Sequence, residues 1–370
     1  MAKRIYVGVN NVARKGKKAY FGVNEIARKV KKAYIGVGGI ARPCLSGELA
    51  YFGTITPLSV ARNSLAATTV GDYALFGGGG AGSTIMDTVD AYSASLVRST
   101  PTALSAARIN FKATTVGDYA LFGGGSGGGS IYSTVDAYNL SLVRTTPTAL
   151  SRSRQSLAAT TVGDYALFGG GNSSGSTYTY YNTVDAYSSS LVRTTPTVLS
   201  VGRSGLAATV VGDYALFGGG RGNSSYLSTV DAYSSSLVRS TPTVLSVART
   251  EFAATTVGDY ALFGGGLGGN YFSTVDAYSA SLVRSTPTVL SVARHAPAAT
   301  TIGDYALFGG GNSEYPTEHN TVDAYDTSLI RSTPTPLSVE RHYLAATTVA
   351  DYVLFGGGYY SYNTVDVYTV

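Results

Sequence analysis

The sequence predicts an all-β chain whose larger part is a seven-bladed β-propeller closed by an N-terminal strand, preceded by a small basic β-hairpin repeat region. Three observations predict it. A unit of about 45 residues recurs seven times, and internal repetition at that period marks a propeller or an array before any local structure is considered. Each unit holds four strand-like segments separated by Gly or Pro turns, with no helical periodicity. Finally, a spare strand-like segment lies ahead of the first unit, and the seventh unit lacks its fourth strand.

The repeat is anchored by an arginine ending a Leu-Ser-Val-Ala-Arg segment. It stands at Arg62, Arg108, Arg154, Arg203, Arg249, Arg294 and Arg341, at spacings of 46, 46, 49, 46, 45 and 47. In the first copy a run of small residues follows (Leu65 to Val70), then a Gly71-Asp72-Tyr73 turn, Ala-Leu-Phe and a glycine run from Phe76 to Gly80. A loop of variable sequence leads to Thr88-Val89-Asp90-Ala91-Tyr92, and Ser95 to Thr102 ends the unit. These segments read as strands a to d, with the arginine at the start of the inner strand a. Tyrosine (29 residues) and threonine suit such half-buried pleated surfaces.

The ends predict how the ring closes. The seventh copy runs out after its third strand at Tyr368, and residues 48–57 sit where a fourth strand belongs. Donating that strand to the last blade removes an unpaired edge. The third-strand aspartate and fourth-strand arginine are always eight apart, as in Asp90/Arg98, Asp136/Arg144 and Asp231/Arg239. A tight turn midway makes them directly opposed cross-strand pairs. At the seventh blade the matching position is Phe52, so Asp366 is expected to lack this partner.

The order of arginine, double glycine after an apolar second strand, and Val-x-x-Tyr-like third strand resembles the Kelch repeat, across about 320 residues. Kelch repeats usually carry a tryptophan on the fourth strand, and here Leu-Val-Arg stands in its place. The Kelch-fold copper radical oxidases need a cysteine beside a tyrosine inside the barrel. The one cysteine of this chain, Cys44, lies outside it.

Residues 1–44 form a second repeat system. Tyr6-Val7-Gly8-Val9-Asn10-Asn11-Val12-Ala13-Arg14 returns from Tyr20 and again from Tyr34, a period of 14. Asn-Asn or Gly-Gly between two β runs favours a two-residue turn, since both central residues must tolerate positive φ. Three hairpins in series follow, and alone they bury too little to be stable, so they call for a partner surface. The pattern is similar to the short tyrosine/valine/basic repeats of phage and prophage tail-associated proteins of Gram-positive bacteria.

Charge divides at the same point. The overall net charge of +5 combines a leader of net +10 with a body, residues 45–370, of net −5. Lys15, Lys17, Lys18, Lys29, Lys31 and Lys32 are the candidate attachment residues. Strand-edge lysines that block stray pairing are an equally good explanation; as a functional reading, docking to an acidic protein partner is favoured, and nucleic acid is disfavoured. A single cysteine rules out an intrachain disulfide. The basic start lacks the apolar run of a secretion signal, and no apolar stretch reaches membrane-spanning length. The expected setting is synthesis in the cytoplasm and location in a virion or phage-derived particle.

Comparing the seven copies with one another locates the variable positions. They are the b–c loops and the two residues after each anchoring arginine, and up-and-down strand order puts both on one face. The a–b and c–d turns on the other face are nearly constant. The variable loops are rich in Tyr, Ser, Asn and Gly, a composition suited to adaptable recognition around rigid aromatic anchors. The candidate ligand-binding residues are Tyr132, Tyr178, Tyr180, Tyr181, Arg221, Tyr226, Tyr271, Phe272, Tyr315, His319, His342, Tyr343, Tyr359, Tyr360 and Tyr362. Drift in exposed loops is the bland alternative, but the equally exposed turns opposite have not drifted.

No metal, cofactor or catalytic residue is assigned. The glycine runs lack the Gly-Lys-Ser/Thr of a phosphate cradle. His295, His319 and His342 sit with Glu314 and Glu318 on loops that rarely fix metal ligands. The resulting expectation is a non-enzymatic recognition or structural module, present in multiple copies. Its leader attaches it to virion or other assembly proteins, and its propeller face takes a protein or glycan ligand, without membrane insertion. An intracellular Kelch scaffold and a carbohydrate-binding or carbohydrate-acting propeller are the alternatives.

Overall fold

A computed structural model of the chain describes residues 48–174, 178–314, 317–360 and 362–370 in full, and the backbone of six strands in the leader. Seven four-stranded antiparallel sheets form the seven blades. In blade 1, strand a is Ala66–Val70, b is Tyr73–Gly77, c is Val89–Ser93 and d is Arg98–Ser99, in the order d-c-b-a. The a strands lie innermost, each packed against the next around a central channel. In blade 7, strands a to c are Ala345–Val349, Tyr352–Gly356 and Val365–Thr369, and strand d is Ala50–Ile55. The N-terminal closure expected from the sequence is therefore present. Among the described residues no helix is long and apolar enough to cross a membrane.

Burial explains the repeat's composition. Strand a alternates buried and half-buried residues because one side faces its blade and the other the channel. Strands b and c are sandwiched between neighbouring blades, so both of their faces are buried and Ala-Leu-Phe and Val-Asp-Ala-Tyr run without alternation of buried and exposed residues. The last glycine of each b strand receives the strand-b phenylalanine of the next blade. A Cβ on Gly77 would lie 3.0 Å from the Phe122 ring, and one on Gly356 would lie 2.8 Å from Phe76, the contact that completes the circle. Each strand-c tyrosine reaches to the preceding blade's d-strand segment; Tyr92 donates to the Thr56 carbonyl at 2.9 Å and Tyr138 to that of Thr102 at 2.7 Å.

The anchoring arginines are fully buried, and the structure corrects two expectations about them. They do not begin strand a but precede it by four residues, in the d–a connection. They are also the main partners of the strand-c aspartates. Arg203 Nη2 donates to Asp231 Oδ2 at 2.7 Å and to the Phe217 carbonyl at 3.0 Å. Ser200 supplies its backbone N–H and hydroxyl to the same carboxylate at 3.0 and 3.1 Å. The d-strand arginine does bind the aspartate, Arg239 Nη1 to Asp231 Oδ1 at 2.8 Å. The pair is diagonal, however, because Arg239 lies opposite Tyr233 in the register. In blade 7 a bulge between Val367 and Tyr368 shifts the register, so Tyr51 rather than Phe52 lies opposite Tyr368. Asp366 lacks a d-strand arginine, as expected; the Tyr51 hydroxyl takes that place at 2.6 Å, and burial together with the carboxylate pushes Tyr51 up to about 12.

In the leader, Ile5–Val9 pairs with Val12–Gly16, Tyr20–Val23 with Ile26–Lys29, and Tyr34–Val37 with Ile40–Pro43. The registers Val9↔Val12, Val23↔Ile26 and Val37↔Ile40 are those of two-residue hairpins. The side chains of Lys15, Lys17, Lys18, Lys29, Lys31 and Lys32 lie outside the described residues.

Candidate ligand-binding face and channel mouth

The residue after each anchoring arginine pairs with the b–c loop of its own blade. Asn63 bridges to Gly80, Ser204 to Arg221, Thr250 to Leu267 and His295 to Asn312. Both variable stretches of every blade thus meet on one face. The next residue takes left-handed backbone in all seven blades, with φ between 50° and 62°: Ser64, Asn110, Ser156, Gly205, Glu251, Ala296 and Tyr343. Six of the seven are not glycine, and such a conformation costs an L-residue about 1–2 kcal/mol. The return is a belt of inter-blade hydrogen bonds around the channel mouth. Gly205 N–H donates to Ser156 at 2.9 Å, Glu251 to Gly205 at 3.1 Å, Ala296 to Glu251 at 2.7 Å and Ser64 to Tyr343 at 2.9 Å. Backbone at the mouth is fixed, while side-chain identity there is free to vary.

Below this belt the channel holds a pocket of about 190 Å³. Its walls are residues just ahead of the a strands, Leu65, Leu206, Phe252, Pro297 and Leu344, then rings of alanine at the strand starts such as Ala66, Ala158 and Ala253. One residue breaks the alanine ring. Lys112 stands where the other six blades have Ala66, Ala158, Ala207, Ala253, Ala298 and Ala345. Those alanines are buried, whereas Lys112 is exposed where it lines the pocket. Its ammonium is crowded by the channel walls yet open along the axis, and burial pulls it below its ordinary value, with Glu251 opposing that shift.

The Glu, His and Tyr side chains of the belt gather on one side, in blades 5 to 7. Tyr343 donates its hydroxyl to Glu251 Oε2 at 3.1 Å, and His295 Nε2 lies 3.5 Å from the same oxygen. His342 Nδ1 lies 3.1 Å from Glu318 Oε1, both side chains buried, and Glu318 Oε2 has no hydrogen-bond partner. Aromatic rings knit the group together, with centroids 5.3 Å apart for Tyr271–His295, 4.6 Å for His342–Tyr343 and 4.7 Å for His342–Tyr359. Burial lowers His295 from the usual imidazole range, Glu251 partly offsetting it. Burial and then Glu251 raise the Tyr343 phenol. Among the described residues no three His, Cys, Asp or Glu side chains are placed to hold a metal ion.

The candidates named from sequence separate into three groups. Tyr271, His342, Tyr343, Tyr359 and Tyr360 gather at this mouth cluster in blades 5 to 7. Tyr178 and Tyr180 form a pair on the blade 3 loop with centroids 6.5 Å apart, and Arg221 lies over Tyr226 at 5.9 Å on blade 4. Tyr132, Tyr181, Phe272, His319 and Tyr362 share a half-buried position with a structural task. Each accepts, on its carbonyl, the N–H of the next blade's anchoring arginine, as Tyr181 does from Arg203 at 3.1 Å. Of these, Tyr181 also lies against Arg152, and His319 Nε2 lies 3.0 Å from the Ser313 hydroxyl. Tyr315 lies outside the described residues.

Reading the sequence for candidates missed Lys112 and Glu251 and left His295 off the list. A signal existed: aligning the seven copies position by position shows one lysine among six alanines. The Glu314/Glu318 pair separates, with Glu314 exposed and Glu318 buried against His342. Comparison of the chain with models of protein families and with curated proteins finds no match.

Proposed function

We propose that this protein is a non-enzymatic recognition module whose propeller binds a partner or host-surface ligand through its d–a/b–c face, and whose basic leader attaches it to a larger assembly. The observation that carries the reading is the confinement of sequence divergence to one face, where the d–a connection keeps the same left-handed backbone in every blade while the b–c loops differ in length and sequence. Seven fixed frames with interchangeable side chains suit recognition, and a cluster of Tyr, His and Glu in three adjacent blades supplies mixed apolar and hydrogen-bonding contacts.

Topology supports the division of labour. Strand Ala50–Ile55 runs from the a–b/c–d face toward the variable face, so the leader joins the propeller on the constant side. That side carries one aspartate per a–b turn, Asp72, Asp118, Asp164, Asp213, Asp259, Asp304 and Asp351. The leader's resemblance to tail-associated repeats favours a phage particle or phage-derived tail as the assembly, with the propeller as a fibre, baseplate or surface component.

The test is binding of the labelled full chain to Gram-positive cells. Replacing Tyr178, Tyr180 and Tyr360 together by alanine is expected to weaken binding about tenfold, on the order of 1–2 kcal/mol, with melting temperature unchanged. The matched control, Val192→Ser with Val238→Ser, changes exposed residues beside the c–d turns. Loss of binding in the control but not in the tyrosine variant would place the functional face on the wrong side.

A further inference from the structure

We infer that the channel mouth is a ligand subsite for a carboxylate-bearing sugar, in which the Lys112 ammonium receives the carboxylate while Glu251 and the tyrosines opposite engage the hydroxyls and the ring. The inference rests on the recognition reading above and names the ligand class of one part of that face.

Three features of the mouth point there. Lys112 lines an alanine-walled pocket of about 190 Å³, and among the described residues no side-chain hydrogen bond or ion pair engages its ammonium. Lys112 is exposed inside the channel, so an entering anion can reach its ammonium and pair with it there. Second, the groups facing it are acceptors and aromatic planes. Glu251 is within electrostatic reach of Lys112, and Tyr343 and His295 converge on its carboxylate. A purely anionic ligand would meet repulsion there, whereas a ligand with an acid at one end and hydroxyl donors at the other matches both sides. Third, Glu318 Oε2 is a buried acceptor with no partner beside His342, so hydrogen-bonding capacity remains unused at the edge of the cluster. Tyr271, Tyr343 and Tyr359 add rings against which the C–H face of a sugar can pack. The crowding that lowers the Lys112 amine agrees with this geometry, since a bound carboxylate would oppose that shift as Glu251 does.

The decisive variant is Lys112→Ala, which installs the residue found at this position in the other six blades and so leaves the fold intact. D-glucuronate, D-glucose and glucose 6-phosphate are titrated into the full chain by calorimetry and by NMR. The expected result is saturable glucuronate binding, at least tenfold weaker glucose binding, and at least a tenfold loss of glucuronate affinity in Lys112→Ala. Equal affinity of the wild type and Lys112→Ala would overturn the assignment, as would absence of saturable glucuronate binding. Tighter binding of glucose 6-phosphate would overturn the carboxylate and assign the anion as phosphate. Cell binding that survives while glucuronate fails would sink this subsite alone. Glucuronate binding that survives while cell binding fails would keep the subsite and remove the surface-recognition reading.

Discussion

His295 illustrates how a single side chain at the mouth couples stability to pH. Burial holds its folded pKa below the ordinary value of about 6.5, with His342 adding to the shift and Glu251 opposing it. His319 is lowered in the same way by burial and by Arg294, with Glu340 opposing. A group whose protonation is disfavoured in the folded state binds more protons when unfolded, so acid favours unfolding. The stability that these neutral imidazoles contribute is complete above about pH 6.5 and declines as pH falls toward their folded values. The melting temperature should therefore drop between pH 7 and pH 5.5, and His295→Gln combined with His319→Gln should flatten that drop. Identical pH profiles for the variant and the wild type would show that these histidines do not titrate as their burial requires.

Within each blade the unit of stability is the strand-c aspartate with the two arginines it holds. Asp231 accepts from Arg203, Arg239 and Ser200, and both it and Arg203 are fully buried. Removing the carboxylate leaves a buried guanidinium without its counter-charge, which typically costs about 3–5 kcal/mol. Asp231→Ala should therefore lower the urea midpoint steeply. Asp213→Ala, in an exposed a–b turn, should stay within about 0.5 kcal/mol of the wild type. A cost below about 1 kcal/mol for Asp231→Ala would mean that the network fixes geometry without adding stability. Such a network explains why the repeat keeps Arg, Asp and Arg in every complete copy while the loops beside them diverge.

For the whole molecule, the closing strand decides whether seven blades make a ring. Residues 48–57 supply strand d to blade 7, the Tyr51 hydroxyl to Asp366, and the Thr56 carbonyl to Tyr92 of blade 1. Deleting them would strip three kinds of contact at once and bare the outer edge of strand c in the last blade, a template for pairing with other chains. The deletion should aggregate or melt well below the full chain. A deletion protein equal to the wild type in solubility and melting temperature would refute closure by this strand.

The blade count, the four strands of each blade, the closing strand and the variable face were all determined by the sequence itself. The reason is repetition: seven independent copies of Gly-Asp, Gly-Gly and Thr-Pro turns mark the same boundaries, and any misreading of one copy is corrected by six others. Strand register and side-chain partnership were left to the tertiary structure. A spacing of eight between Asp231 and Arg239 does not distinguish opposed from diagonal pairing, and it conceals Arg203, 28 residues away along the chain. The bulge at Val367/Tyr368 that exchanges Tyr51 for Phe52 arises from how the two chain ends meet, which no local pattern encodes. The mouth cluster is of the same kind. Lys112, Glu251, His295 and His342 come from four blades, and only closure of the ring around one axis brings them to the same channel mouth.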